Sequence, residues 1–216
     1  MKTKRSKASA RLFMVFFMFS VTLVCISVVA AVHLGSRERV LSNEALYLRQ
    51  GIMVAAGLKV PADSETILTW YDRCVTPLPD EENATCYEIR AAAQGPHQAV
   101  VFIRQGAGLW GTIEAVVGLD PSLTQFTGIA FVKQNETPGL GARIMESWYG
   151  EHIKGRVGGL SLVAEGTRSK DPAKLDAITG ATVTSVAVRD LLNRLIEEAP
   201  AITPSTRMPS HAPTHH

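Results

Sequence analysis

Residues 98–132 read QAVVFIRQGAGLWGTIEAVVGLDPSLTQFTGIAFV, and they indicate the fold class. Three short apolar or alternating runs, Gln98–Arg104, Gly111–Leu119 and Phe126–Val132, are separated by segments containing Gly, Asp or Pro. Runs of this length, rich in Val, Ile and Phe and bounded by turn residues, are typical of neighbouring β-strands joined by turns. Cys86–Ala92 has the same character. The stretch therefore predicts a mostly antiparallel sheet.

Helical patterns lie on both sides of these strands. Apolar residues recur at Leu41, Ala45, Leu48, Ile52 and Ala55, the spacing of an amphipathic helix over Glu38–Ala56, and Gly57 and Pro61 follow where a helix ends. The other predicted elements are a helix over Ser64–Cys74, an edge strand within Gly155–Ala164 and a last helix over Thr184–Ala199. Strands flanked by helices predict an α+β domain over residues 35–198. The Pro-, Ser-, Thr- and His-rich residues 199–216 predict a disordered tail.

The N-terminal region predicts a membrane anchor. Leu12–Leu34 contains no Asp, Glu, Lys or Arg, and about 20 apolar residues suffice to cross the hydrocarbon core. A cleaved signal peptide is the alternative, although its apolar core is usually shorter, about 7–15 residues. Residues 1–11 carry five basic residues and no acidic one, which places that end in the cytoplasm and the domain on the outer face of the membrane.

Charge and cysteine content narrow the functional classes. Without the five basic residues before the span, 17 basic residues face 20 acidic ones, so the rest of the chain has a net charge of −3. No basic patch interleaved with aromatic residues indicates nucleic-acid binding. The sequence lacks CxxC and HExxH motifs, and its six His are scattered, so we predict no metal site. Cys74 and Cys86 could form a disulfide in an oxidising compartment or remain thiols.

The segment with the clearest chemical signal is residues 176–185, DAITGATVTS. It places hydroxyls and small residues before and within the start of the predicted last helix. A helix N-terminus favours a phosphate, and Gly180 and Ala181 allow the backbone to approach a ligand closely. An ordinary Thr/Ser helix cap after a Gly turn is the simpler interpretation of the composition alone.

The complete pattern favours the ligand interpretation. It resembles the D-x-x-[ST]-G-A-T-x-T signature of the FMN-binding domain, found in the NqrC subunit of the sodium-translocating NADH:quinone oxidoreductase and in the equivalent flavin-bearing subunit of the related Rnf complex. The matching residues are Asp176, Thr179, Gly180, Ala181, Thr182 and Thr184. The resemblance implies that a flavin transferase esterifies the phosphate of FMN onto Thr184, reading a segment that includes Asp176, Gly180 and Ala181. Thr182 is the rival acceptor.

Two further segments resemble the same family. Residues 136–141, ETPGLG, imply contacts of Glu136, Thr137, Gly139 and Leu140 with the flavin, although such a sequence alone is typical of a turn. Glu136 could equally form a strand-end salt bridge or a cap. Residues 106–111, GAGLWG, resemble a segment of NqrC and imply that Trp110 stacks near the cofactor, whereas a Trp is more often part of a core.

The resemblance implies a redox subunit rather than a stand-alone enzyme. Its covalent FMN would pass electrons between membrane partners of an ion-translocating oxidoreductase complex in a bacterial plasma membrane. No dinucleotide-binding βαβ fingerprint is present, so NADH oxidation would belong to another protein of the complex. The alternatives are a flavin-binding sensor or accessory domain outside such a complex, and an anchored domain without flavin.

Overall fold

The computed structural model describes residues 7–78, 86–90 and 97–202. They contain α1 (Lys7–Ala55), α2 (Ser64–Cys74), β1 (Val75–Leu78), β2 (Cys86–Arg90), β3 (His97–Ala107), β4 (Thr112–Leu119) and β5 (Phe126–Lys133). A 3-10 helix (Gly141–Met145), α3 (Ser147–Ile153), β6 (Ser161–Val163), β7 (Lys174–Asp176) and α4 (Thr182–Ile202) follow. The chain divides into two units, residues 1–45 and residues 46–216.

The centre of the second unit is a five-stranded antiparallel sheet in the order β1-β2-β3-β4-β5. Successive side chains of a strand point to opposite faces, so the apolar runs supply two cores. Val100 and Phe102 belong to the core with α3 and α4, whereas Ala99 and Val101 belong to the core with the end of α1. The sheet is therefore covered on both faces, and the predicted α+β class and antiparallel sheet are confirmed.

The end of α1 approaches the sheet through two glycines. A Cβ atom on Gly118 would lie 2.0 Å from the carbonyl oxygen of Ala55, and one on Gly128 would lie 2.4 Å from that of Val54. The hydroxyl of Thr127 donates to the Ala55 carbonyl at 2.6 Å. Gly57, at φ 75°, ends the helix as expected, because its N–H and that of Leu58 bond back to Val54 and Met53.

We expect Gly118→Ala to destabilise the domain strongly. The new methyl group would meet a backbone carbonyl, which cannot rotate away, so the cost should reach about 3 kcal/mol, the upper part of the range for overpacked cores. Chemical denaturation of the purified chain measures it. Gly150→Ala in α3 is the control, since its Cβ would have ordinary contacts at 3.5 Å and Ala favours a helix. Equal unfolding free energies for the two variants would contradict this packing.

Several boundary predictions are wrong. Residues 38–56 do not start a separate helix, because α1 is continuous from Lys7 to Ala55. The Gly155–Ala164 region gives only β6, which pairs in parallel with β7 in a separate two-stranded sheet. The last helix begins at Thr182, two residues early, and continues to Ile202 because Ala199 is fully buried. The tail prediction is therefore wrong for residues 199–202, and residues 203–216 lie outside the described part.

The sequence also left β1 unpredicted, in a segment that reads as a turn. Pro77 lies in this strand opposite Tyr87, and a proline is tolerated there because β1 is at the edge of the sheet. The pairing of Leu78 with Cys86 bears on the cysteines. Cys74 precedes Leu78 by four residues, about 13 Å of extended chain, which is too far for a disulfide to Cys86.

Within α1, Ser9–Ala55 contains a window with mean hydropathy 2.7, the single stretch among the described residues that is apolar and long enough to cross a membrane. Its large apolar side chains are exposed, for example Leu12 at 71% and Phe16 at 69%. Exposed apolar side chains in such a helix are compatible with a lipid environment. Of the five basic residues that precede the span, Lys2, Lys4 and Arg5 lie outside the described residues.

Candidate functional site

The three segments with sequence signals meet at the carboxylate of Glu136, which is 5% exposed. Its Oε2 accepts a hydrogen bond of 2.5 Å from the hydroxyl of Thr184, although the two residues are 48 positions apart. Its Oε1 accepts a bond of 3.1 Å from the backbone N–H of Trp110. One buried side chain therefore joins residues 106–111, 136–141 and 176–185.

Two glycines make room for this carboxylate. A Cβ atom on Gly108 would lie 2.5 Å from Glu136 Oε1. A Cβ atom on Gly141 would lie 2.6 Å from both Glu136 Oε2 and Thr184 Oγ1. Since real Cβ atoms do not approach that closely, these glycines are needed for the Glu136–Thr184 contact. Glu136 itself follows the end of β5, where its N–H donates to the Gln134 side chain at 2.6 Å.

The two candidate hydroxyls have opposite environments. Thr182 is exposed, whereas Thr184 is 1% exposed. Both lie in the first turn of α4, so Thr184 is inside the helix rather than at its opening. The N–H groups of a first turn have no acceptors within the helix and give that end a partial positive charge. A negative group beside Thr184 is stabilised by this charge, which explains how Glu136 can be buried there.

Exposed apolar side chains surround the polar pair. Trp110 is 67% exposed, Val183 52% and Leu140 43%, and each is a chain neighbour of a residue at the Glu136 site or of that site itself. Trp110 is therefore not part of the core. Leu140 lies over Gly180, since a Cβ atom on this glycine would be 3.0 Å from Leu140 Cδ2. The site thus has a polar centre and an apolar rim.

The loop that carries Leu140 is a tight turn. The carbonyl oxygen of Thr137 accepts the N–H groups of Leu140 and Ala142, both at 3.1 Å. Gly139 has φ 75°, a conformation that favours glycine, and its Cβ position faces open space. Thr137 and Gly139 are exposed, so both are accessible to a ligand from solvent.

Ser185 fixes the turn that enters α4. Its buried hydroxyl accepts the N–H of Ile178 at 2.9 Å and donates to the Ala181 carbonyl at 3.0 Å. Gly180, at φ 78°, allows the chain to reverse between these two residues. The residues of the TGAT segment are therefore held in place by the first turn of the helix that they precede.

Asp176 is placed apart from the Glu136 carboxylate. It is 2% exposed, and its Oδ2 accepts the N–H groups of Gly166 at 2.9 Å and Arg168 at 3.2 Å. Its Oδ1 lies 3.2 Å from Nε2 of His152, whose pKa is lowered by burial despite the attraction of Asp176. These contacts hold the loop after β6, and the burial leaves little of the side chain for another protein to read.

Thr179 is linked to a second carboxylate. Its N–H donates to Glu165 Oε2 at 2.7 Å, and the Arg143 guanidinium makes two bonds to the same carboxylate, of 2.7 and 3.1 Å. The bond from Arg143, followed by those from Thr179, lowers the pKa of Glu165 from 4.5 to about 2. This pair joins the 3-10 helix to the TGAT segment.

We expect Glu165→Gln to lower the melting temperature at pH 7. A carboxylate whose pKa falls on folding, here from 4.5 to about 2, stabilises the protein above the unfolded value and loses this effect as the pH falls. The difference from wild type should therefore shrink between pH 5 and pH 3, which thermal unfolding at several pH values measures. Glu151→Gln, at an exposed position of α3, is the control. A difference that stays constant with pH would contradict the pair.

The sequence did not indicate four residues of this region: Gly108, Gly141, Arg143 and Glu165. Gly108 and Gly141 lie within the quoted segments, and their sequence signal is only that a glycine stands there. Arg143 and Glu165 carry no pattern at all, because their role depends on a pairing across 22 residues.

Comparison with known proteins agrees with this geometry. Residues 108–197 match the FMN-binding domain family. The chain is 34% identical over 97 residues to the G-type subunit of an ion-translocating oxidoreductase complex from Methanosarcina acetivorans, covering 45% of this chain and 49% of that protein. It is 30% identical over 106 residues to the C-type subunit of the Na+-translocating NADH-quinone reductase from Yersinia pestis, covering 46% and 40%. The chain thus spans half or less of these two relatives.

The fold also matches a solved structure. The crystal structure of NqrC from Shewanella oneidensis superimposes with a TM-score of 0.62 at 19% identity, over 69% of this chain and 90% of that one. The family match includes all of the residues that meet at Glu136, from Gly108 to Thr184. The chain therefore contains an FMN-binding domain over residues 108–197, similar to those of the C-type subunits of Na+-translocating NADH-quinone reductases and the G-type subunits of ion-translocating oxidoreductase complexes.

Proposed function

We propose that this chain is a membrane-anchored electron-transfer subunit that carries FMN covalently, through its phosphate, on Thr184. We further propose that it belongs to an ion-translocating complex of the NADH:quinone or ferredoxin:NAD oxidoreductase type. The observation that carries the proposal is the meeting of three separate family segments at the Glu136 carboxylate, with the hydroxyl of Thr184 at 2.5 Å. An isolated helix cap would not require the other two segments.

The residues present fit a flavin mononucleotide. An isoalloxazine ring is planar and largely apolar with one polar edge, so it needs apolar side chains beside hydrogen-bonding groups. Leu140, Trp110 and Val183 are exposed around the site and supply the first. The Thr137 side chain and the open space at Gly139 lie in the same turn. Bound FMN would supply the ability to accept and release electrons, while the protein sets its position and potential.

The first turn of α4 fits the phosphate end. Its N–H groups and positive partial charge favour an anion beside Thr182 and Thr184. The family signature ends at Thr184, which supports that residue as the acceptor. Its burial means that the 136–141 turn must move to expose the hydroxyl, whereas Thr182 is accessible without any movement. Attachment by a flavin transferase at Thr184 therefore includes a local opening.

The N-terminal helix would hold this domain at a membrane. The five basic residues before Leu12 support a cytoplasmic N-terminus and a domain on the periplasmic side. In that position the flavin would exchange electrons with neighbouring membrane subunits. The proposed partners are those subunits, the membrane and the flavin transferase that attaches the cofactor, and no nucleic acid.

Two assays test this function. The chain co-expressed with a flavin transferase should give a fluorescent band after denaturing electrophoresis, because only a covalent flavin survives unfolding. Deletion of its gene in the native host should abolish electron transfer from NADH or ferredoxin in isolated membranes. A dark band would contradict the covalent flavin. A fluorescent band with unchanged membrane activity would instead favour a flavin-binding sensor or accessory domain.

A further inference from the structure

The Glu136 carboxylate has no role in holding a flavin that its position explains. It is 5% exposed, and the hydroxyl beside it is 1% exposed. Burying a carboxylate costs free energy unless it is well bonded, and at many positions an uncharged side chain would cost less. The 2.5 Å contact aims Glu136 Oε2 at the oxygen that would become the ester oxygen. This geometry is the one that proton transfer requires.

We propose that Glu136 is the base that removes the proton of the Thr184 hydroxyl during flavin attachment, so that the acceptor protein supplies a catalytic group for its own modification. The inference rests on the proposed attachment at Thr184. It assigns to the chain a catalytic step that is separate from its electron transfer.

The reaction needs an activated flavin nucleotide. FMN and an alcohol would have to lose water to form a phosphodiester, whereas a flavin dinucleotide contains a pyrophosphate bond that can break instead. Thr184 Oγ1 attacks the flavin-side phosphorus of the dinucleotide, a new P–O bond forms, and the pyrophosphate P–O bond breaks to release AMP. The proton of the hydroxyl goes to Glu136 Oε2. No electron is gained or lost.

The surroundings of the carboxylate suit this role. The Trp110 N–H bonds Oε1, which leaves Oε2 directed at Thr184. The absence of a side chain at Gly141 allows the two oxygens to touch. The first turn of α4 stabilises negative charge that develops on the Thr184 oxygen as its proton leaves.

The product state follows from the same contact. An ester oxygen has no proton to donate, and a negative phosphodiester beside a carboxylate would place two like charges together in a buried site. The proton taken from Thr184 removes this repulsion if it stays on Glu136, where it can be donated to the phosphate. Base and product stabiliser are then the same group.

Glu136→Gln separates the chemistry from the packing. A glutamine can accept the Trp110 N–H with its oxygen and donate to Thr184 with its amide, so the contacts persist, but it cannot take a proton. Full-length wild-type chain and variant are incubated in detergent with purified transferase and FAD, and the adduct is followed by intact mass and peptide mapping. We expect the labelling rate to fall about 100-fold, the lower bound for a lost acid–base group. Melting temperatures measured without FAD show whether the variant is folded.

Controls decide between the outcomes. Glu114→Gln, on β4, should label at the wild-type rate. If Glu136→Gln fails to fold, Glu136→Asp replaces it, and its oxygen, drawn back by about 1.5 Å, should slow labelling as well. A folded Gln or Asp variant that labels as fast as wild type would overturn the inference, and the base would then belong to the transferase. Absence of label on wild-type Thr184 would instead overturn the proposed function.

Discussion

Thr184→Ala should abolish covalent flavin labelling of this chain. The variant lacks the oxygen that would form the ester, so co-expression with a flavin transferase should leave the band dark after denaturing electrophoresis. The substitution also leaves Glu136 without its hydroxyl donor in a buried site, and it should destabilise the domain by about 1–3 kcal/mol. In-gel fluorescence and thermal unfolding measure the two effects.

Thr182→Ala is the matched comparison. Thr182 lies in the same helical turn, has the same side chain and is exposed, so its loss should cost little stability and should leave label on Thr184. Equal labelling of the two variants would contradict the assignment of Thr184. Label lost only from Thr182→Ala would make the exposed hydroxyl the acceptor.

Gly141→Ala should have the second largest effect. Its methyl group would stand 2.6 Å from both Glu136 Oε2 and Thr184 Oγ1 and 2.9 Å from Glu136 Cβ. Rotation of the carboxylate cannot relieve all three contacts, so the hydrogen bond between the two residues should break. Loss of a bond to a charged group costs about 1.5–3 kcal/mol. We expect a similar loss of stability, and a labelling rate at least about tenfold lower if the pair must be intact for attachment.

Gly159→Ala is the control for backbone strain. Gly159 also has a positive φ, 75°, and nothing lies near its Cβ position, so the substitution should cost about 1 kcal/mol without touching the site. Its labelling rate should equal that of wild type. If Gly141→Ala labels as fast as Gly159→Ala, the Glu136–Thr184 contact is not needed for attachment.

The sequence predicted the sheet well because its strands are short, apolar and separated by turn residues. It failed where tertiary contacts override local signals. Ser161–Val163 pairs with Lys174–Asp176, a partner that no local pattern indicates. Val75–Leu78 contains a proline and becomes a strand only because β2 is beside it. The helix ended later than expected because Ala199 is buried.

The candidate site shows the same division. The family resemblance identified the three segments, but their meeting point could not be read from spacing, since Trp110, Glu136 and Thr184 are far apart in the chain. Glu136 was assigned three possible roles, and its contacts with Trp110 and Thr184 distinguish them. The burial of Thr184 had no sequence signal, because the first turn of a helix is usually exposed on one side.

This burial gives the attachment a physical consequence. A hydroxyl that is 1% exposed in the unmodified protein is reached only when the 136–141 turn opens or before it has closed. Leu140, which lies over Gly180, moves with that turn. After attachment the same turn would lie against the flavin, so the residues that restrict access to Thr184 would also hold the cofactor.

Mass spectrometry of the mature chain from its native host tests the central claim most directly. Cleavage after Lys174 and Arg189 releases residues 175–189, which contain Thr179, Thr182, Thr184 and Ser185. This peptide should carry the mass of FMN less one water, and its fragment ions should place the adduct on Thr184. An unmodified peptide, in a chain whose companion subunits are present and active, would contradict the covalent flavin.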